Sequence, residues 1–177
     1  TVGLRWGEAA ALRVRDVDVT RNRISIERNA VTVGTEVVIG TPKTHEVREV
    51  AVPASVMRML IPVMEGKSPD ELLWPRRDGS PMKPPTHGKW YYNALDRCMD
   101  KYPDFPRVTP HGLRHVAAGL MVSAGANVKV IQRELGHSSA AMTLDIYAEL
   151  FDEDLEAVGS AVDEKISDVV RLSSRRA

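Results

Sequence analysis

Apolar and polar positions alternate over two short stretches in the first third of the chain. Ile24 and Ile26 are spaced by Ser25 and followed by Glu27, and Val47 to Val52 alternates again before Pro53. A period of two predicts half-buried strands. Val31 to Ile39 is β-branched and interrupted by Gly34, and is read as one more strand, giving an antiparallel sheet of three. Gly40-Thr41-Pro42-Lys43-Thr44 then falls in the turn before the last strand. Upstream, the Glu-Ala-Ala-Ala-Leu-Arg run from Gly7 to Arg13 has high helix propensity, and Asp16 to Asn22 reads as a turn.

From Ala54 the pattern becomes helical. Ala54 to Glu65 forms one helix that Pro62 should kink or shorten. Residues 66–86 hold five prolines and two glycines and predict a long surface loop. A helix from Gly88 to Met99 would bury Trp90, Ala94, Leu95 and Cys98. Thr109 as N-cap and Pro110 in the first helical position open the next helix, which runs to about Ser123. Asn127 caps another that stops at Gly136, and Ser138 or Ser139 opens a third, which carries Tyr147. Leu155, Val158, Val162, Ile166 and Val169 recur at intervals of three and four, the stripe of a final amphipathic helix.

The fold expected is therefore mixed and mainly α-helical, with a small three-stranded antiparallel β-sheet. At 177 residues the chain is one domain with one sizeable core. No apolar run approaches a bilayer span, and the lone Cys98 fits a reducing cytosol, so the expected location is cytoplasmic. The chain opens at Thr1 directly on a motif, as a piece of a longer protein would. Net charge is zero, but its distribution is uneven. Residues 1–144 hold 20 Lys and Arg against 15 Asp and Glu, whereas residues 145–168 hold nine acids against Lys165 alone. A basic body with an acidic tail can bind phosphate on one face, since the local field governs that contact.

The candidate chemistry lies in an ordered series of side chains. It comprises Arg5 in Gly3-Leu4-Arg5-Trp6-Gly7-Glu8, Lys43 in the hairpin turn, His111-Gly112-Leu113-Arg114, Leu135-Gly136-His137, and Tyr147. Breaking a phosphodiester without a metal requires cations on the non-bridging oxygens, a nucleophile, and an acid for the leaving oxygen. Arg5 and Arg114 suit the first task, because a guanidinium donates two parallel hydrogen bonds and stays charged. Lys43 could reach a leaving oxygen if neighbouring cations lowered its ordinary pKa of about 10.4. His111 and His137 titrate near neutrality and can donate to phosphate or move a proton. Tyr147 is the hydroxyl nucleophile, provided a base or a cationic field draws off its proton. His115 follows His111 by four residues, a zinc-like spacing. The segment lacks the glutamate of His-Glu-x-x-His and puts a cation between the would-be ligands, so no metal is expected and His115 reads as a packed, supporting histidine.

The order Arg, Lys, His-x-x-Arg, His, Tyr resembles the catalytic domain of the tyrosine recombinase, or phage integrase, family. The resemblance spans residues 1–150, with 151–177 as a C-terminal helix and tail. It implies that Arg5, Lys43, His111, Arg114 and His137 assemble around one scissile phosphate. Tyr147 would attack it to form a 3′-phosphotyrosine, with Lys43 as the leaving-group acid and Glu8 buttressing the site. The implied function is site-specific DNA recombination. A type IB topoisomerase-like strand transferase and a non-catalytic DNA-binding protein on the same fold are the alternatives. The implied partners are double-stranded DNA attachment sites, a homotetramer assembled on DNA from protomers that are monomeric when free, and accessory DNA-bending proteins. No cofactor is implied, and the source would be bacterial or phage-encoded. The resemblance also implies a preceding helical part and an N-terminal core-binding domain outside this chain, so weak binding and little recombination are expected of this piece alone. Gly112 stands where the family often has aspartate and Val116 where it often has threonine. After the nucleophile, the family's tail commonly docks on a neighbouring protomer; folding back on its own domain is the other way to hide the same stripe.

Overall fold

The computed structural model describes residues 2–41 and 47–148 and, further on, residues 159, 160, 162, 163, 166 and 167. Helix α1 (Trp6–Ala10) leads through a 3-10 turn (Val14–Asp16) into strands β1 (Val17–Asp18), β2 (Arg23–Ile26), β3 (Asn29–Val33), β4 (Glu36–Gly40) and β5 (Arg48–Ala51). Helices α2 (Ala54–Met64), α3 (Trp90–Lys101), α4 (Gly112–Ser123), α5 (Val128–Leu135) and α6 (Ala140–Tyr147) follow. The mixed, mainly helical class expected from the periodicity is the class observed.

A three-stranded antiparallel sheet is present, in the order β1-β2-β5. Its membership differs from the expectation. Val31–Ile39 is not one strand but a separate hairpin of β3 and β4, with Gly34 at φ +60° in its turn. The third sheet strand comes instead from Val17 and Asp18, inside the segment read as a turn. Gly34 was thus a reversal point, as an isolated glycine in a β-branched run often is.

Two apolar clusters hold the chain. Ile24 and Ile26 of β2, Val50 of β5, Val52, Met57 and Leu60 of α2, and Leu12 and Leu73 form the first. The alternation that places Ile24 and Ile26 inward does the same for Arg48, Val50 and Val52, because Ile24 pairs with Val50 and Ile26 with Arg48. The second cluster joins α4, α5 and α6 through Ala118, Val122, Ile131, Leu135 and Tyr147. Burying each large aliphatic side chain in such a cluster contributes roughly 1.5–3 kcal/mol. The two halves are stitched by polar contacts as well: both Glu134 carboxylate oxygens accept from the Ala51 N–H, at 2.9 and 3.1 Å.

The 66–86 segment is the expected long loop. It is pinned by the Leu73 N–H on the Leu12 carbonyl at 2.9 Å and by an isolated Arg13–Leu72 bridge. Arg13 is buried and shared between Asp16 at 2.8 Å and Glu27 at 2.7 Å. That demand for partners explains why the helical run from Gly7 stops at Ala10: Arg13 must leave the helix to reach them.

Two helix readings are corrected. On α3 only Leu95 is buried; Trp90 is 56% exposed, and Ala94 and Cys98 are half-buried. Helix α4 begins at Gly112 rather than Pro110, and the Thr109 hydroxyl accepts the Gly112 N–H at 2.9 Å to close the turn before it. The α5 and α6 boundaries match the capping signals. Asn127 accepts from the N–H groups of Lys129 and Val130, Gly136 closes α5 at φ +64°, and Ser139 accepts from the Met142 N–H. Of the terminal stripe, Leu155, Val158 and Val169 lie outside the described residues. Val162 and Ile166 are helical and exposed. No described helix is long and apolar enough to cross a membrane.

Candidate active site

The site forms where α1, the α4 N-terminal half, the α5–α6 junction and the start of β5 converge. Its centre is backbone: the Leu135 and Gly136 carbonyls just before His137. Arg114 is buried, with Nη2 on the Leu135 carbonyl at 2.6 Å and Nη1 on the Gly3 carbonyl at 2.5 Å. Arg5 donates from Nη2 to the Gly136 carbonyl at 2.9 Å and from Nη1 to Glu8 at 3.0 Å, and keeps 43% of its side chain exposed. Two arginines 109 positions apart therefore grip consecutive peptide units of one turn. A guanidinium has five donors, so these two contacts leave further N–H groups on each.

Glu8 is 2% exposed and is held from both sides. Its carboxylate closes the α1 N-terminus by accepting the Arg5 N–H at 2.9 Å, and it receives a two-bond fork from Arg48 at 3.0 and 2.8 Å. Burial alone would raise its pKa, but the Arg48 and Arg5 contacts outweigh that and hold it below the usual carboxylate value. Arg48 also reaches the Glu134 and Leu135 carbonyls, at 3.4 and 3.5 Å. Its guanidinium lies so close over Gly136 that a Cβ there would come within 2.7 Å of Cζ. Glycine is thus required at 136 both by φ +64° and by Arg48.

Three guanidinium groups meet here, and Glu8 bridges two of them, Arg5 and Arg48, while Arg114 is held by carbonyls. The surplus is felt by its neighbours. Burial, then Arg5, brings the Arg114 pKa down to about 10. Burial, then Arg114, Arg5 and Arg48, brings His137 down to about 4, so its ring is neutral at physiological pH. The His137 Nδ1 lies 2.9 Å from the Thr143 hydroxyl, and Thr143 is fully buried on α6. Gln132 holds the His137 main chain at both ends: its Nε2 donates to the His137 carbonyl at 3.1 Å, and its own carbonyl accepts the His137 N–H at 3.0 Å.

Tyr147, the last residue of α6, is buried in the second apolar cluster with its ring parallel to His137, centroids 6.5 Å apart. Burial raises the phenol's pKa above its ordinary value, against a smaller pull from Arg114. Its hydroxyl lies 3.0 Å from Nδ1 of His115. His115 is in turn edge-to-face with His111, centroids 5.1 Å apart. His111 is the N-cap of α4, and partial desolvation of its largely exposed ring, then His115, Arg114 and Arg5, lowers its pKa. A cavity of about 710 Å³ opens beside the cluster, lined by Arg48, Glu49, Gln132, Gly136, His137 and Ser138 among others.

Of the predicted residues, Arg5, Glu8, His111, Arg114, His115, His137 and Tyr147 are brought together. Lys43 lies outside the described residues. Arg48, Thr143 and Gln132 were not predicted. Arg48 left one trace in the sequence: it shares the inward face of its strand with Val50 and Val52, and a charge on that face requires a buried partner.

The family model described as the phage integrase family matches residues 1–154. The chain is 35% identical to transposase B from transposon Tn554 of Staphylococcus aureus over 115 residues, 61% of this chain and 18% of that protein. It is 29% identical to the integrase of Mycobacterium phage L5 over 178 residues, 96% of this chain and 45% of that one. The chain thus spans less than half the length of these curated relatives. Among solved structures, the Tn1549 transposon integrase in complex with transposon right end DNA superposes with a TM-score of 0.74 at 23% identity, covering 89% of this chain and 55% of that one. XerA recombinase gives 0.60 at 23% identity, covering 90% and 53%. Those structures share its fold, and with the family model matching nearly all of its length the chain belongs to the phage integrase family of tyrosine recombinases.

Proposed function

We propose that this chain is the catalytic part of a site-specific DNA recombinase that cleaves and rejoins DNA through a 3′-phosphotyrosine. The observation that carries the reading is the surplus of fixed positive charge beside a buried phenol. Arg5 and Arg48 share one carboxylate and Arg114 is held by carbonyls beside them, next to a histidine kept neutral and a tyrosine hydroxyl within hydrogen-bond reach of a base. Such a cluster suits an anion with several oxygens, and a phosphodiester is the anion that a tyrosine hydroxyl could attack.

In this reading Arg5 and Arg114 hold the non-bridging oxygens, His111 and neutral His137 donate to the phosphate, Lys43 protonates the leaving 5′ oxygen, and Glu8 buttresses Arg5. The arginines neutralise the developing charge, and the phosphotyrosine conserves bond energy for rejoining. Residues 1–150 act as the catalytic domain on double-stranded DNA within a homotetramer. The tail after Tyr147 docks on a neighbouring protomer, which the exposure of Val162 and Ile166, at 52% and 57%, supports over folding back.

A randomised pool of nicked suicide duplexes tests this. Tyrosine attack traps a covalent adduct that survives denaturing electrophoresis and maps to Tyr147, and Tyr147→Phe abolishes it while leaving the fold intact. An adduct from Tyr147→Phe would overturn the nucleophile assignment. DNA binding without any adduct would make the chain a non-catalytic binder, and supercoil relaxation without strand exchange would make it topoisomerase-like.

A further inference from the structure

The polar partner of the Tyr147 hydroxyl is neither His111 nor His137. It is His115, whose Nδ1 lies 3.0 Å away. The two rings are tilted by 58° with centroids 5.7 Å apart, so they meet through the hydrogen bond rather than as a stack. Both sides are held. Tyr147 is buried at the end of α6 against Ala118, Val122, Ile131 and Leu135, and His115 follows buried Arg114 on α4. His115 itself is exposed, which gives the ring's far nitrogen access to water. The His137 ring is parallel to that of Tyr147 with centroids 6.5 Å apart, and its Nδ1 is engaged with the Thr143 hydroxyl.

We propose that His115 is a catalytic residue, the proton acceptor for the Tyr147 hydroxyl. The inference rests on the phosphotyrosine reading above. As the Tyr147 oxygen bonds to phosphorus, the phenolic proton moves to His115 Nδ1. The bond from phosphorus to the 5′ oxygen breaks, and that oxygen takes a proton from the leaving-group acid. The imidazolium then releases a proton to water from Nε2. In rejoining the 5′ hydroxyl attacks and gives its proton back to the deprotonated leaving-group acid, the phosphorus–tyrosine bond breaks, and His115 returns its Nδ1 proton to the tyrosinate while Nε2 takes one from water. The titratable groups facing His115 are Tyr147 on α6, His137 in the turn before α6, and His111 one turn back on its own side of the site. In the Nε2–H tautomer the His115 Nδ1 is a hydrogen-bond acceptor.

The test is the single-turnover rate of adduct formation by the 177-residue chain on the nicked duplex that traps it, for wild type, His115→Ala and His115→Asn. Asparagine can accept the phenol's hydrogen bond but cannot keep its proton, so it separates catalysis from positioning. Both variants should cleave roughly 100-fold or more slowly, with duplex affinity within twofold of wild type. Added imidazole should restore part of the His115→Ala rate and should leave His115→Asn unchanged. Wild-type cleavage by His115→Asn, or absence of imidazole rescue in His115→Ala, overturns the proposal and leaves the recombinase reading standing. Failure of the wild-type chain to form any adduct overturns both.

Discussion

The Arg48 guanidinium and the Glu8 carboxylate meet as a two-bond fork, 3.0 and 2.8 Å long, across forty positions of sequence. Arg48 is 14% and Glu8 2% exposed, so the pair is a buried one, and Arg5 shares the same carboxylate. Through this pair β5, α1 and the α5–α6 turn are held in one register. Removing one partner of a buried ion pair is far costlier than the pair's own net contribution, because the other charge is left behind. Arg48→Ala should therefore lower unfolding stability by about 3 kcal/mol, read from a urea titration. Arg48→Lys should recover only part of that, since an ammonium cannot reproduce the fork. A loss below about 1 kcal/mol would mean that Arg5 alone is enough to hold Glu8.

Thr143 should matter to chemistry more than to stability. Its hydroxyl is the partner of His137 Nδ1, and it stands one helical turn before Tyr147, so it ties the ring to the helix that carries the expected nucleophile. Thr143→Val keeps the shape and removes the oxygen, costing about 1–2 kcal/mol of stability for the lost hydrogen bond. The adduct-forming rate should fall by about tenfold or more, because the His137 tautomer and ring angle are no longer set. Thr143→Ser should restore the rate. Unchanged cleavage by the valine variant would show that His137 needs no such tether.

His137 makes the fold sensitive to acid. Its pKa is lowered to about 4 in the folded chain, against about 6.5 when unfolded. At pH 8 both states hold it neutral and it contributes nothing to the pH dependence. As pH falls below about 6.5 the unfolded chain takes up a proton that the folded chain refuses, so stability drops until roughly pH 4 and then levels. A thermal-denaturation series from pH 8 to pH 4 should show this loss in wild type and a shallower one in His137→Gln. Equal slopes would remove His137 as the cause. Bound phosphodiester should flatten the wild-type slope as well, because an anion beside the ring favours its protonated form.

Much of this site is legible in the sequence because much of it is local. Asn127, Gly136 and Ser139 cap two short helices, and those caps place His137 in the turn between them and start the helix that carries Tyr147. His111 and Arg114 are one turn apart at the start of a helix for the same reason. The helical half of the chain was readable with small errors in where α3 and α4 begin. The β-region was less so. Val31–Ile39 carries strand residues throughout, and only pairing distinguishes one strand from a hairpin that turns at Gly34.

What the sequence determined by itself is the set of elements and the order in which the chemical groups appear along them. Which groups touch was decided by tertiary structure. Glu8 and Arg48, Arg5 and the Gly136 carbonyl, and Tyr147 and His115 are separated by 40, 131 and 32 positions. No local periodicity links them. They meet because one apolar cluster fixes β5 and another fixes the α4–α6 group, and because a charge carried inside where these groups adjoin must find an opposite charge or a carbonyl there. Caps and periodicity are set by neighbours a few residues away, whereas a buried arginine's partner is set by whatever the packing brings to it.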